Sequence, residues 1–305
     1  MRLLIARPTS KMGTSQPWEV IAYNHQITRL GQGIHEHGKL SDAGINRTLQ
    51  ALQTFKSIID SHQITSKQIY ATATAAVRES ENGYVFQQQV LKNTGIHITI
   101  INGKHEASMA LLGATAVLHK KPQNDMLFFD IGGGSTEFIR AKQGHIVDSI
   151  SCKLGVVRLV EAHLHSDPPS LEDYQAIKNT VSTHLQTVEQ HWKKTSDTIP
   201  AYMVGTAGTV TTLAAVQMDL VPYDPQQVNN HPISRTDFNQ LKDHLLSLNH
   251  KQRERIPAIE AGRSDLIIAG LAIIETIMEK WDYNFFITVD AGLLEGNWLA
   301  SYASE

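Results

Sequence analysis

Met126-Leu-Phe-Phe-Asp130-Ile-Gly-Gly-Gly-Ser-Thr-Glu137 joins an apolar run to a carboxylate, three successive glycines and, seven residues after the first acid, a second one. Met126 to Phe129 have the length and character of a buried strand, with Asp130 at its end. Gly132, Gly133 and Gly134 remove every Cβ from the following turn and open positive φ to Gly133, so that backbone N–H groups can close around an anion. Ser135 and Thr136 continue the turn. Asp130 and Glu137 suit a hard cation such as Mg2+ held against the same anion. The alternative is a plain glycine hairpin, which needs only one or two glycines; three between two acids favour phosphate.

The surrounding 305 residues, 41% hydrophobic and 19% charged, describe a globular chain of about two domains. A net charge of −3 argues against a broad basic surface, so DNA and RNA are not expected partners. Cys152 is the single cysteine, which excludes an internal disulfide and a Cys-based zinc cluster. Its apolar runs are too short for a bilayer span or a secretory signal, and a cytoplasmic chain without membrane association is expected.

Outward from the glycine turn, the pattern is α/β on both sides. The chain opens in mid-strand at Met1-Arg-Leu-Leu-Ile5. Further strand pattern covers Trp18 to Leu30, and a helix starts near Ser41-Asp42 with its stripe at Ile45, Leu49, Leu52, Phe55 and Ile59. Strand pattern follows at Gln68 to Thr72 and His97 to Ile101, with helical pattern at Tyr84 to Leu91 and His105 to His119. Lys120 to Asp125 mark a boundary, giving domains at 1–122 and 123–305. Beyond it, strands are expected at 137–140, 145–151, 201–205 and 285–289, and helices at 156–165, 171–192, 210–216, 236–248, 263–281 and 292–302. Pro222 to Pro232 read as a loop. Thr206-Ala-Gly-Thr209 between a strand and a helix forms a second anion-type turn, or a threonine-capped helix start.

Four blocks in order resemble the exopolyphosphatase and guanosine pentaphosphate phosphohydrolase family of the actin-like, sugar-kinase-like superfamily: Ala71-Thr-Ala-Thr-Ala-Ala-Val-Arg78, Asp130 to Glu137, Leu154-Gly-Val-Val-Arg-Leu159 and Gly205-Thr-Ala-Gly-Thr-Val-Thr-Thr-Leu213. The resemblance spans nearly the whole chain. It implies two ribonuclease-H-like domains with an interdomain active-site cleft, and hydrolysis of terminal phosphate from polyphosphate or guanosine pentaphosphate with Mg2+. Glu106 matches the family's catalytic glutamate; on the residues alone it is equally a carboxylate favoured by a helix N-terminus. Arg78 matches the arginine closing the first block. Gly132, Gly133, Gly134, Ser135 and Thr136 match one phosphate loop, Gly205, Thr206, Gly208 and Thr209 another, and Asp130 and Glu137 the metal site. Arg263 and Asp265 fit a ligand contact or a helix-end ion pair. His35-Glu-His37 and His163-Leu-His165 are incomplete zinc sets.

Family members carry a strand and an acidic first phosphate loop ahead of the Arg-Leu-Leu strand, and this sequence shows neither before Met1, so weak turnover and an unpaired strand edge are expected. Val228-Asn-Asn-His-Pro232 also departs from the family's Val-His-Gly turn. Its end near Gly292-Leu-Leu-Glu-Gly296 resembles the short members. A homodimer is allowed. Two other functions fit the same residues: a non-catalytic sensor of polyphosphate or guanosine tetra- and pentaphosphate, and an actin-like ATPase or sugar kinase.

Overall fold

The structure is a computed structural model that describes residues 1–9, 16–194 and 198–302. Its first strands, β1 (Arg2–Pro8) and β2 (Trp18–His25), pair antiparallel. Ser41 accepts a hydrogen bond from the Gly44 N–H (3.2 Å) and opens α1 (Asp42–Ser61), which buries Ile45, Leu52, Phe55 and Ile59 on one face. Two βα steps follow: β3 (Ala71–Ala73), α2 (Gly83–Thr94), β4 (Ile98–Ile100) and α3 (Gly103–Thr115). The strands β3 and β4 are parallel, and their sheet is separate from that of β1 and β2. Met1, Leu3, Ala71, Ala73 and Ile100 are only partly buried against the core formed by α1, α2 and β4.

In the second half, β5 (Met126–Ile131), β6 (Thr136–Lys142) and β7 (His145–Cys152) form an antiparallel meander. Next come α4 (Val156–His163), α5 (Leu171–Trp192), β8 (Tyr202–Thr206) and α6 (Ala207–Gln217). They are followed by β9 (His231–Ser234), α7 (Arg235–Ser247), α8 (Leu266–Lys280) and β10 (Phe285–Thr288). The sheet order is β7-β6-β5-β8-β10-β9, with β5, β8 and β10 mutually parallel. Leu127, Phe129, Phe138, Met203 and Phe286 of the sheet share one core with Leu185 of α5, Leu213 of α6 and Ile268, Leu271 and Ile274 of α8. That apolar bed is what holds the ends of β5 and β8 in place.

The chain divides into Met1–Ala116 together with the residues from Leu293 on, and Val117–Gly292. This corrects the expected division at 122/123: the last helix, α9 (Leu293–Tyr302), belongs with the first unit. Its Gly296 packs so closely on α3 that an added Cβ would lie 1.8 Å from the Met109 carbonyl oxygen. Trp298 meets Trp18 of β2 (centroids 6.2 Å), and its indole N–H donates to the Ala6 carbonyl (3.3 Å). The expected Pro222 to Pro232 loop holds a helical turn, Pro225–Val228, and the start of β9. Pro232 is accommodated because β9 is an edge strand. Among the described residues no helix is long and apolar enough to cross a membrane.

Candidate active site

In the unit Val117–Gly292, Asp130 and Glu137 are directly opposed in the antiparallel register of β5 and β6. Cross-strand partners project to the same face, so the two carboxylates are neighbours. Asp130 is also in register with Thr206 at the end of parallel β8. The glycine turn and the Thr206-Ala-Gly-Thr209 turn therefore leave the carboxyl ends of adjacent strands, the usual ligand position of an open α/β sheet. Past both runs Gly292, where an added Cβ would lie 3.4 Å from Thr206 Oγ1 and 3.9 Å from Asp130 Oδ2.

Glu137 is 2% exposed, and Ser151 Oγ donates to its Oε1 at 2.7 Å. Burial, and secondarily the Glu137 carboxylate, push the neighbouring Cys152 thiol up to about 12. Such a thiol is inert at neutral pH. Among the described residues no group of three or more His, Cys, Asp or Glu side chains could hold a metal ion, which covers both His-x-His motifs. The Asp130 and Glu137 pair fits Mg2+, which takes one or two protein carboxylates and completes its shell with water and substrate phosphate.

The residues of the glycine turn divide by what they face. Gly132 N–H donates to the Ser135 carbonyl (2.9 Å), and the Thr136 hydroxyl donates to the Leu154 carbonyl, so these two groups brace the turn. The N–H groups of Gly133, Gly134 and Ser135 have no hydrogen-bond acceptor among the described residues. None of the three glycines has a left-handed φ, contrary to the expectation at Gly133. An added Cβ at Gly133 would meet only the Val157 side chain, 3.3 Å from its Cγ2.

At the second turn the hydroxyls are turned inward. Thr206 Oγ1 donates to the Ala291 carbonyl (3.1 Å), and the buried Thr209 side chain packs where Gly270 of α8 leaves space. Gly205 lets β8 pass the Phe129 ring. The turn instead offers the first N–H groups of α6, whose Thr206 N-cap makes no side-chain cap. Ala207 adopts φ 74°, an unfavourable region for a residue with a Cβ, as strained residues at functional sites often do. A side chain that the sequence left undecided also lies here. The Arg263 guanidinium covers Gly208 so closely that an added Cβ would lie 1.3 Å from its Nη1, and Glu260 holds its Nε at 2.8 Å. Arg263 lies far from Gly208 along the chain, beyond α6 and α7, so only the fold shows that its guanidinium covers this turn.

In the first unit, Glu106 and Arg78 come together. They stand just past the parallel neighbours β4 and β3, Arg78 ending a helical turn, Ala75–Arg78, and Glu106 in the first turn of α3. Arg78 Nη1 lies 3.1 Å from Glu106 Oε2 and 2.9 Å from the Ile101 carbonyl oxygen. Glu106, with its side chain 8% exposed, is far more enclosed than a carboxylate placed only for the helix dipole. Asn102 supplies the helix cap instead, accepting from His105 N–H at 2.9 Å.

The mixed α/β architecture of the two units is that of the actin-like class. A profile of the Ppx/GppA phosphatase family matches residues 5–305, and the chain belongs to that family. It is 30% identical over 275 residues to a bifunctional 3-dehydroquinate synthase/phosphatase of Fusobacterium nucleatum, covering 89% of this chain but only 40% of that protein. Exopolyphosphatase 2 of Mycobacterium tuberculosis is 29% identical over 289 residues, 92% of this chain and 87% of that one. The crystal structure of the Aquifex aeolicus Ppx/GppA family member matches with a TM-score of 0.79 at 29% identity, covering 99% of this chain and 94% of that one.

Proposed function

We propose that this chain is an exopolyphosphatase: it removes the terminal phosphate of inorganic polyphosphate by attack of water, with guanosine pentaphosphate as the second substrate to be tested. The observation that carries this reading is the register of Asp130 between Glu137 and Thr206, which sets two carboxylates beside two anion-type turns. The N–H groups of Gly133, Gly134 and Ser135 hold the terminal phosphoryl oxygens and stabilise charge that develops on them. The first amides of α6, with Arg263, hold the adjoining phosphate. Glu106 orients the attacking water and accepts its proton, while Arg78 fixes the direction of the carboxylate through Oε2. The terminal P–O bond breaks and inorganic phosphate leaves. Asp130 and Glu137 would hold Mg2+, which when bound neutralises phosphate charge.

The test is phosphate release from polyphosphate before and after exhaustive chelation. Release is expected to vanish on chelation and return with Mg2+. Tight polyphosphate binding without release, with Mg2+ present, would instead favour a sensor. Full activity after chelation would remove Asp130 and Glu137 from the metal role.

A further inference from the structure

The carbonyl oxygens of the glycine turn are gripped one after another by the start of α4. Val156 N–H donates to Gly132 O at 3.1 Å and Val157 N–H to Gly133 O at 3.0 Å. The third donor differs in kind: it is the side chain of Arg158, whose Nε donates to Gly134 O at 2.9 Å. A trans peptide is planar, and its C=O points opposite to the N–H of the next residue. Fixing the oxygens of residues 132, 133 and 134 therefore aims the N–H groups of Gly133, Gly134 and Ser135 away from α4, and these are the three that lack a protein acceptor among the described residues.

Close approach makes this grip feasible. A Cβ on Gly155 would lie 2.3 Å from Gly133 O and 2.4 Å from Gly134 N, so the helix start reaches the turn only because residue 155 has no side chain. The first two grips come from backbone and are indifferent to the side chains at 156 and 157. The last depends on one guanidinium. Its charge also polarises the Gly134–Ser135 peptide and strengthens the Ser135 N–H as a donor.

We infer that Arg158 is a positioning residue for phosphate: through the Gly134 carbonyl it aims and strengthens the Ser135 N–H, the third donor of the turn. This deepens the phosphohydrolase reading and rests on it. The test compares the full chain with Arg158→Met, which keeps the length of the stem and removes the donor. Amide resonances of Gly133, Gly134 and Ser135 are followed during titration with tripolyphosphate, and kcat and KM for polyphosphate are measured alongside.

In the parent all three amides are expected to shift. In Arg158→Met the shifts of Gly133 and Gly134 persist, that of Ser135 is selectively lost, and KM rises about tenfold, the scale of one charge-assisted hydrogen bond. A merely structural role would move the three amides together or none. Arg158→Gln keeps a neutral donor; it is expected to give the same selective loss in weaker form, and it stands in if the methionine variant does not fold. An unchanged Ser135 response in either folded variant overturns the inference, as do three silent amides in a parent that hydrolyses polyphosphate. Selective loss at Ser135 in a parent that binds tripolyphosphate without hydrolysing it would uphold the inference while refuting the exopolyphosphatase reading.

Discussion

Gly155 and Gly133 meet at the glycine turn, yet a side chain added at each would meet different atoms. A methyl group on Gly155 would collide with backbone at 2.3 Å, and backbone can yield only by moving the turn. One on Gly133 would press on Val157 Cγ2 at 3.3 Å, which a small rotation relieves. Gly155→Ala is therefore expected to lower both the melting temperature and phosphate release, and Gly133→Ala to leave the stability within about 0.5 kcal/mol of the parent. Thermal melts and release assays on the two variants check the order; a Gly133→Ala that is worse on both counts would contradict the geometry. The sequence shows both glycines inside motif blocks but not which atoms they admit, because the contact joins segments more than twenty residues apart. The placement of Asp130 and Glu137 on either side of the glycine turn, and of Glu106 in the first turn of a helix, was legible in the sequence. That Thr136, Thr206 and Thr209 turn their hydroxyls inward was not, since a hydroxyl at a turn serves a ligand or the fold equally well.

Among the elements, α8 carries the least ordinary burden. It is apolar nearly all round, as its sequence shows, and Glu275 is the one acid buried within it. Tyr174 OH donates to Glu275 Oε2 (3.0 Å), Lys178 Nζ lies 3.1 Å from the same oxygen, and Lys242 Nζ lies 2.5 Å from Oε1, so α5 and α7 are both pinned to α8. Burial alone would raise the carboxyl's pKa, but the hydrogen bonds from Lys242 and Lys178 outweigh it and the group ends below its ordinary value. A depressed carboxylate contributes stability above its unfolded pKa and loses it as pH falls through the folded one. Glu275→Gln is thus expected to cost about 3 kcal/mol at pH 7, as for a broken buried ion pair. That difference should shrink as pH falls below the ordinary carboxylate value of 4.5. Denaturant titrations at neutral and acid pH measure it; a difference that is constant across pH would contradict the ion-pair account. Long helices such as α1 and α5 were readable from their caps and stripes, whereas β9 was hidden behind Pro232 and α6 began three residues earlier than its small-residue turn suggested.

For the whole molecule, the order of elements and the α/β class followed from alternating strand and helix patterns. The membership of α9 did not, because an apolar face shows that a helix is buried without naming its partner; Gly296 and Trp298 settle it only through contacts with Met109 and Trp18. Family membership makes a phosphatase the class of activity, and the proposed chemistry rests on Glu106. The most direct measurement is phosphate release from polyphosphate and from guanosine pentaphosphate, side by side with Mg2+, by the parent and by Glu106→Gln. The account predicts release from polyphosphate by the parent and a loss of about 100-fold in the variant, with its fold and its affinity for polyphosphate retained. A folded variant that releases phosphate within a few-fold of the parent would contradict it.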